Sequence, residues 1–323
     1  MNRFRSALLL SAFLGFFALS TAHTADPEGI AQRRLKADSV CTKCHDESES
    51  KPILAIYQTP HGVTGDGRTP SCQSCHGESR NHLAGSADGK VRPPPDVVFG
   101  SKHTPAGYVP SGAQTQTEAC LTCHKAGLRM HWPGSQHQSN DVVCANCHSV
   151  HVAKDPVLVK ALQPAVCFNC HKDQRAQLKQ ISAHPVDAGK MSCSDCHNPH
   201  GSSGPKLLVK NTVTETCFTC HAEKRGPFLW EHQPVNEDCT NCHTPHGSNI
   251  TPLLKSRPPF LCDQCHDGPH NSQAPYGTAV AGLQGRGAVM GGNPNSSAVG
   301  RACMNCHVMI HGSNSPTGAF LHH

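Results

Sequence analysis

Five residues, Cys-x-x-Cys-His, recur along this chain and constrain it more than any other feature. There are ten copies, and together they account for all 20 cysteines. The thiol pairs are Cys41/Cys44, Cys72/Cys75, Cys120/Cys123, Cys144/Cys147, Cys167/Cys170, Cys193/Cys196, Cys217/Cys220, Cys239/Cys242, Cys262/Cys265 and Cys303/Cys306. The histidines that follow them are His45, His76, His124, His148, His171, His197, His221, His243, His266 and His307. Two thiols three positions apart can add across the two vinyl groups of one haem, and the next residue then offers an imidazole to the iron. Zinc knuckles and disulfide frameworks have no need of a histidine at that position. A redox dithiol occurs once in a domain, not ten times. The spacing therefore predicts ten covalently bound c-type haems, with the ten histidines as proximal ligands.

Such a cofactor load changes what the polypeptide must do. With 323 residues, about 32 serve each haem, and aromatics make up only 5% of the chain. Glycine and proline number 28 and 25, and long periodic apolar stretches are few. Backbone entropy would outweigh the apolar surface available for burial. The porphyrins must supply the missing core, and the haem-free chain is expected to be largely unfolded. The expected fold is a multihaem cytochrome c with little regular structure: short α-helices and loops wrapped around a linear array of ten haems, without a substantial β-sheet.

Residues 1–22 read as a secretory signal peptide, with Arg3 and Arg5 before the apolar run Ala7–Leu19, and small residues at Ser20 and Ala22. Cleavage is expected after Ala22, with Ala25 as the alternative. The run falls short of the ~20 residues that a spanning helix needs. The formal charge of +5 is no argument for nucleic acid, since no basic stripe accompanies it and each haem adds two propionates.

The motif starts fall into five pairs: Cys41/Cys72, Cys120/Cys144, Cys167/Cys193, Cys217/Cys239 and Cys262/Cys303. They mark five two-haem units, about 41–84, 118–160, 165–210, 215–256 and 260–312, in one domain spanning 23–323. Residues 85–117 and 282–300 read as loop insertions. Cys196–His197–Asn–Pro–His200–Gly–Ser parallels Cys242–His243–Thr–Pro–His246–Gly–Ser, and Cys147–His148–Ser–Val–His151 is a looser copy.

The second axial ligand separates electron transfer from catalysis. Of 25 histidines, ten are proximal; setting aside His23, His322 and His323 leaves twelve. Two fall in each unit: His61 and His82, His137 and His151, His184 and His200, His232 and His246, His270 and His311. These are the ten candidate distal ligands. His103 and His131 are spare, and His137 is preferred to His131 because it precedes its next motif by seven residues, as His232 does. His148 and His151 are too close in sequence to hold opposite faces of one iron, so His151, His200 and His246 are expected to serve a neighbouring haem.

Several stretches resemble a known family: His151–Val–Ala–Lys–Asp–Pro156, Cys193–Ser–Asp–Cys–His–Asn–Pro–His–Gly–Ser202, Cys220–His–Ala–Glu–Lys–Arg–Gly–Pro227 and Leu229–Trp230–Glu231–His232. With ten motifs in about 300 residues, the chain resembles the MtrA/DmsE-type decahaem cytochromes over nearly its whole mature length, least in 85–117. The resemblance implies a periplasmic cytochrome with histidine on both faces of each iron, seated in an outer-membrane β-barrel partner. It also implies an inner-membrane quinol-linked or periplasmic cytochrome donor, and an extracellular multihaem cytochrome or exported reductase as acceptor, in metal-oxide or dimethyl sulfoxide respiration. Two other functions stay open: a soluble periplasmic electron shuttle, and a multihaem reductase. The last needs an iron with an open position, whereas every motif here ends in His and enough distal candidates exist to close each iron. No catalytic residue is assigned.

Overall fold

The computed structural model describes residues 27–46, 48, 52–63, 68–85, 91–104, 107–266, 303–316, 318, 319 and 321. The expected signal peptide, the insertion 282–300 and His270 lie outside them. Among the described residues there are short helices and turns and no strand; pairing is limited to isolated bridges such as Ser182 with Ser248 and Trp230 with Ser313. None of the described helices is long and apolar enough to cross a membrane.

In the three interior units the two motifs fold differently. The first lies at the end of an α-helix, in Ala113–Leu121, Gln163–Cys167 and Val213–Phe218. Local chemistry starts these helices: Pro164 occupies a first-turn position, where its missing N–H costs nothing, and the Thr212 hydroxyl accepts from the Glu215 N–H at 3.1 Å. The second motif lies in a three-residue 3-10 turn in the interior units, at Cys144–Asn146, Cys193–Asp195 and Cys239–Asn241. There the side chain of Asn146 or Asp195 reaches back to accept the N–H of Val143 or Ser192, both at 2.8 Å.

The apolar core is slight. Among the described residues only Val98, Trp132, Val143, Leu178, Val186 and Leu254 are buried hydrophobics. In place of a core there is a continuous cavity of about 5060 Å³ running past every Cys-x-x-Cys-His motif. An ordinary ligand pocket holds ~300–1,000 Å³, so this space accommodates a series of large cofactors.

The insertion 85–117 is more than a loop. Its described part folds onto the first unit: Asp96 accepts from the Ser79 N–H at 2.8 Å. Gln116, buried, bonds the backbone of Gly100 at both its N–H and its carbonyl.

Candidate haem-binding channel

Each motif closes one helical turn. The histidine N–H donates to the carbonyl of the first cysteine, at 3.0 Å for His45, 2.8 Å for His148 and 2.9 Å for His307. That turn holds two thiols and an imidazole on one short segment, as attachment to one porphyrin requires. Within each pair of motifs the two leading thiols are close neighbours, near enough to perturb each other's ionisation: Cys41 with Cys72, Cys120 with Cys144, Cys167 with Cys193, Cys217 with Cys239, and Cys262 with Cys303. Burial, with Asp38 adding to it, pushes the Cys72 thiol up to about 12.

Cys167 and His171 border the channel together with the cysteines of the other motifs. Cys170, exposed like Cys123 and Cys220, sits on the same turn as they do, its N–H on the Cys167 carbonyl at 3.2 Å. Burial first, and then the nearby Cys170 thiol, push the thiol of the channel-lining Cys147 up.

The imidazoles meet in pairs. His45 faces His82 at 6.0 Å between ring centres, His76 faces His151 at 6.3 Å, and His124 faces His61 at 5.9 Å. His148 stands against His200 at 6.0 Å, His171 against His137 at 6.1 Å, and His197 against His246 at 6.1 Å. His221 and His184 are 6.3 Å apart, His243 and His311 6.2 Å, and His266 and His232 6.1 Å. A bound imidazole nitrogen lies about 2 Å from its metal, and the ring centre roughly one bond length further out, so two rings on opposite faces of one iron stand about 6 Å apart. The observed separations fit that requirement.

The pairing follows a rule that the sequence disclosed only in part, through the expectation that His151, His200 and His246 serve a neighbouring haem. The earlier histidine of each unit reaches forward: His61, His137, His184 and His232 meet the first-motif histidine of the next unit. The later one reaches back: His151, His200, His246 and His311 meet the second-motif histidine of the preceding unit. Among the described residues only His82 finds its partner, His45, inside its own unit. His307 completes the proximal set, and its candidate partner His270 lies outside the described residues. His103 and His131 are exposed, and His137, not His131, stands at His171.

Backbone carbonyls orient these rings. Nδ1 of His82, His137, His151, His184 and His232 lies 2.6–2.9 Å from the carbonyls of Pro93, Pro199, Ile53, Pro245 and Ile310. On the proximal side, Nδ1 of His76, His197 and His243 lies 2.9–3.0 Å from those of Val97, Lys206 and Pro252. A carbonyl can only accept, so Nδ1 carries the proton and Nε2 keeps its lone pair for a metal. Burial holds His76, His200, His243, His246 and His311 below the usual imidazole range, which keeps them neutral and able to ligate. Trp132 lines the same channel, and its buried Nε1 has no acceptor in the polypeptide. An indole N–H in that state suits a cofactor with acidic edges. Among the described residues no group of three His, Cys, Asp or Glu side chains forms a metal-ion cluster.

The recurrent tripeptide at the joints therefore has three roles. In Pro199–His200–Gly201 the proline carbonyl takes His137, the imidazole meets His148, and the glycine lies against the backbone of His131. Pro245–His246–Gly247 does the same with His184, His197 and Gln177; Ile310–His311–Gly312 serves His232 and His243 likewise, its glycine lying against the Phe228 ring. The carbonyls escaped sequence reasoning because any residue has one; the repeat of Pro-His-Gly was the available signal.

Comparison with known proteins agrees with this geometry. Residues 184–226 and 232–271 match the doubled CXXCH motif, and residues 72–163 match the cytochrome c-type protein NrfB-like family. The cytochrome c-type protein NrfB of Haemophilus influenzae (strain ATCC 51907 / DSM 11121 / KW20 / Rd) is 27% identical over 203 residues, 54% of this chain and 85% of that protein. The multiheme cytochrome MtrA of Shewanella baltica (strain OS185) is 44% identical over 289 residues, covering 88% of this chain and 80% of its own length. Haem c bound at the Cys-x-x-Cys-His motifs makes this an electron-transfer protein, and the chain belongs to the MtrA family of multihaem cytochromes.

Proposed function

We propose that the chain carries ten haems, each iron held between two histidines, and conducts electrons along them without turning over a substrate. The observation that carries this reading is the set of imidazole pairs, each at the spacing an iron needs. The Cys-x-x-Cys-His histidines are the proximal ligands, and His61, His82, His137, His151, His184, His200, His232, His246, His270 and His311 the distal ones. Cys170 joins Cys167 in holding one haem. His270 takes His307 within its own unit, as His82 serves His45. The contacts between leading thiols support five two-haem units, and exchange of ligands between them keeps consecutive haems adjacent. When bound, the haems supply reversible one-electron chemistry; the polypeptide spaces them, orients their ligands and closes both faces of each iron to substrates.

The chain acts at the outer membrane, exported by its signal peptide to the periplasm and seated in a β-barrel partner. It links a periplasmic or inner-membrane quinol-linked cytochrome to an extracellular multihaem cytochrome or exported reductase. The relationship to MtrA supports this placing, and so does physics. A bilayer opposes electrons with ~30 Å of hydrocarbon, and irregular polar backbone cannot face lipid. A closed barrel with a polar interior can sheath it.

Two measurements test the proposal. The reduced protein should show almost no spectral change with carbon monoxide; a substantial change would expose an open iron and favour a reductase. In fractionated cells the chain should co-purify with a barrel protein from the outer membrane; recovery only from the soluble periplasm would make it a shuttle.

A further inference from the structure

Three second-motif sites, those of His148, His197 and His243, are close to equivalent. Their imidazole pairs are 6.0, 6.1 and 6.2 Å apart and near parallel, at 10°, 26° and 12°. They differ in what holds the proximal ring. At His197 and His243 a left-handed turn, with φ of +51° at Lys206, +61° at Leu207 and +58° at Leu253, presents two carbonyls in succession. The first accepts from the ring, at 2.9 Å from Lys206 or Pro252. The second accepts the next residue's N–H, at 2.7 Å from Asn198 to Leu207 and 2.8 Å from Thr244 to Leu253.

In the unit of His148 that turn is missing, and one carboxylate takes both places. Oδ2 of Asp155 is 2.7 Å from Nδ1 of His148, and Oδ1 accepts the Ser149 N–H at 3.2 Å. Oδ1 also receives the Val157 N–H at 3.4 Å, capping the turn Pro156–Leu158. The Asp155 side chain is only 13% exposed. Lys160, a few residues on, pairs with Asp195 instead, at 3.1 Å. On the opposite face, the buried Nδ1 of His200 has no partner, so Asp155 makes the hydrogen bond that polarises this axial pair. A second carboxylate beside a proximal ring, Glu223 at His221, is 3.7 Å away and well exposed, beyond hydrogen-bond range and screened by water.

Resting on the proposed pairing of His148 with His200, we propose that Asp155 sets a lower reduction potential for the haem at Cys144–Cys147 than for those at Cys193–Cys196 and Cys239–Cys242. A carboxylate draws the imidazole proton more strongly than a carbonyl does and brings a full negative charge to within one ring of the iron. Both effects favour the ferric over the ferrous state when one electron arrives from, or leaves for, an adjacent haem. Asp155 is a positioning residue: it acts through His148. This site is then the last of the three to be reduced, a raised step part-way along the conduit.

The experiment is a potentiometric titration of the full-length holoprotein, followed by optical and electron paramagnetic resonance spectra, with D155N, D155E and H200A. In D155N one haem's share of the titration should move to higher potential while the remainder superimposes on the wild type. In D155E, which keeps the charge, the shift should be smaller. The haem count, from the pyridine haemochrome, should be the same throughout. A D155N titration that superimposes on the wild type at unchanged haem count overturns the inference, as do equal shifts in D155N and D155E. Should D155N lose a haem, D155E is decisive: no displaced component there overturns it as well. H200A isolates the underlying pairing. If it leaves every iron low-spin, the pairing itself has failed; if it yields one high-spin iron while D155N moves nothing, only the role of Asp155 has.

Discussion

The first unit and the interior units solve one problem by different means. An interior unit borrows from both neighbours: the second-motif ring His197 faces His246 from the following unit, and the first-motif ring His171 faces His137 from the preceding one. The carbonyl orienting a forward-reaching histidine is borrowed too, as Pro199 serves His137. The first unit keeps its contacts closer to home: His82 turns back on His45, and the insertion supplies the orienting carbonyls, Pro93 for His82 and Val97 for His76. Terminal repeats in solenoid proteins need capping for the same reason, since each repeat is completed by the next. An array whose interior joints are ligand exchanges can be lengthened unit by unit, but each end must be closed by something local.

The severest way to break this comparison is to remove the haems, because both regions depend on them. With six buried apolar side chains among the described residues, neither the capped end nor the interior has a core of its own. The haem-free chain should lose most of its helical circular dichroism and its cooperative unfolding transition. A native-like spectrum without haem would contradict this.

Replacing distal histidines sharpens the comparison. H82A should create one high-spin iron within the first unit and leave the joints between units intact. H200A should create one at Cys144, in the unit before its own, and loosen the joint it spans. Carbon monoxide binding counts the high-spin iron in each variant, expected at one. Limited proteolysis then separates them: only H200A should open cleavage between residues 160 and 165. Equal protection of that segment in both variants would mean that ligand exchange does not tie units together.

Much of this was open to reading in the residues themselves. Ten motifs without a spare cysteine announced the cofactor and excluded a large apolar core, and short helices without a sheet followed from that. Position counting preferred His137 to His131, and the structure places His137 at His171. What stayed hidden depended on chain path or on groups without sequence identity. That His61 meets His124 across a unit boundary is set by three-dimensional path. The insertion read as a loop because Pro93 and Val97 contribute only their carbonyls. Asp155 was visible in the stretch Lys–Asp–Pro, but its role needed the missing left-handed turn to be seen beside those at Lys206 and Leu253.

The smallest expected effect concerns the glycines at these joints. Gly201 has φ +109°, and a Cβ there would overlap the backbone of His131. In Gly247 a Cβ would overlap the carbonyl of Gln177. The backbone is the obstacle in both, so units must separate to make room, and overpacking of this kind costs about 1–3 kcal/mol. For Gly201 the conformational penalty adds roughly 1–2 kcal/mol. In the capping insertion, Gly107 has φ +82° but nothing within 4 Å of a Cβ, leaving only the conformational cost of about 1–2 kcal/mol. Thermal unfolding of the three holoproteins should therefore rank G201A as the least stable, with G247A and G107A nearer the wild type. G247A, unlike G107A, should also disturb the pair His197–His246, visible as a changed low-spin resonance signal, because Gly247 adjoins the ligand. If G107A destabilised as much as G201A and altered that signal, the insertion would be coupled to the exchange joints and not merely a cap on the first unit.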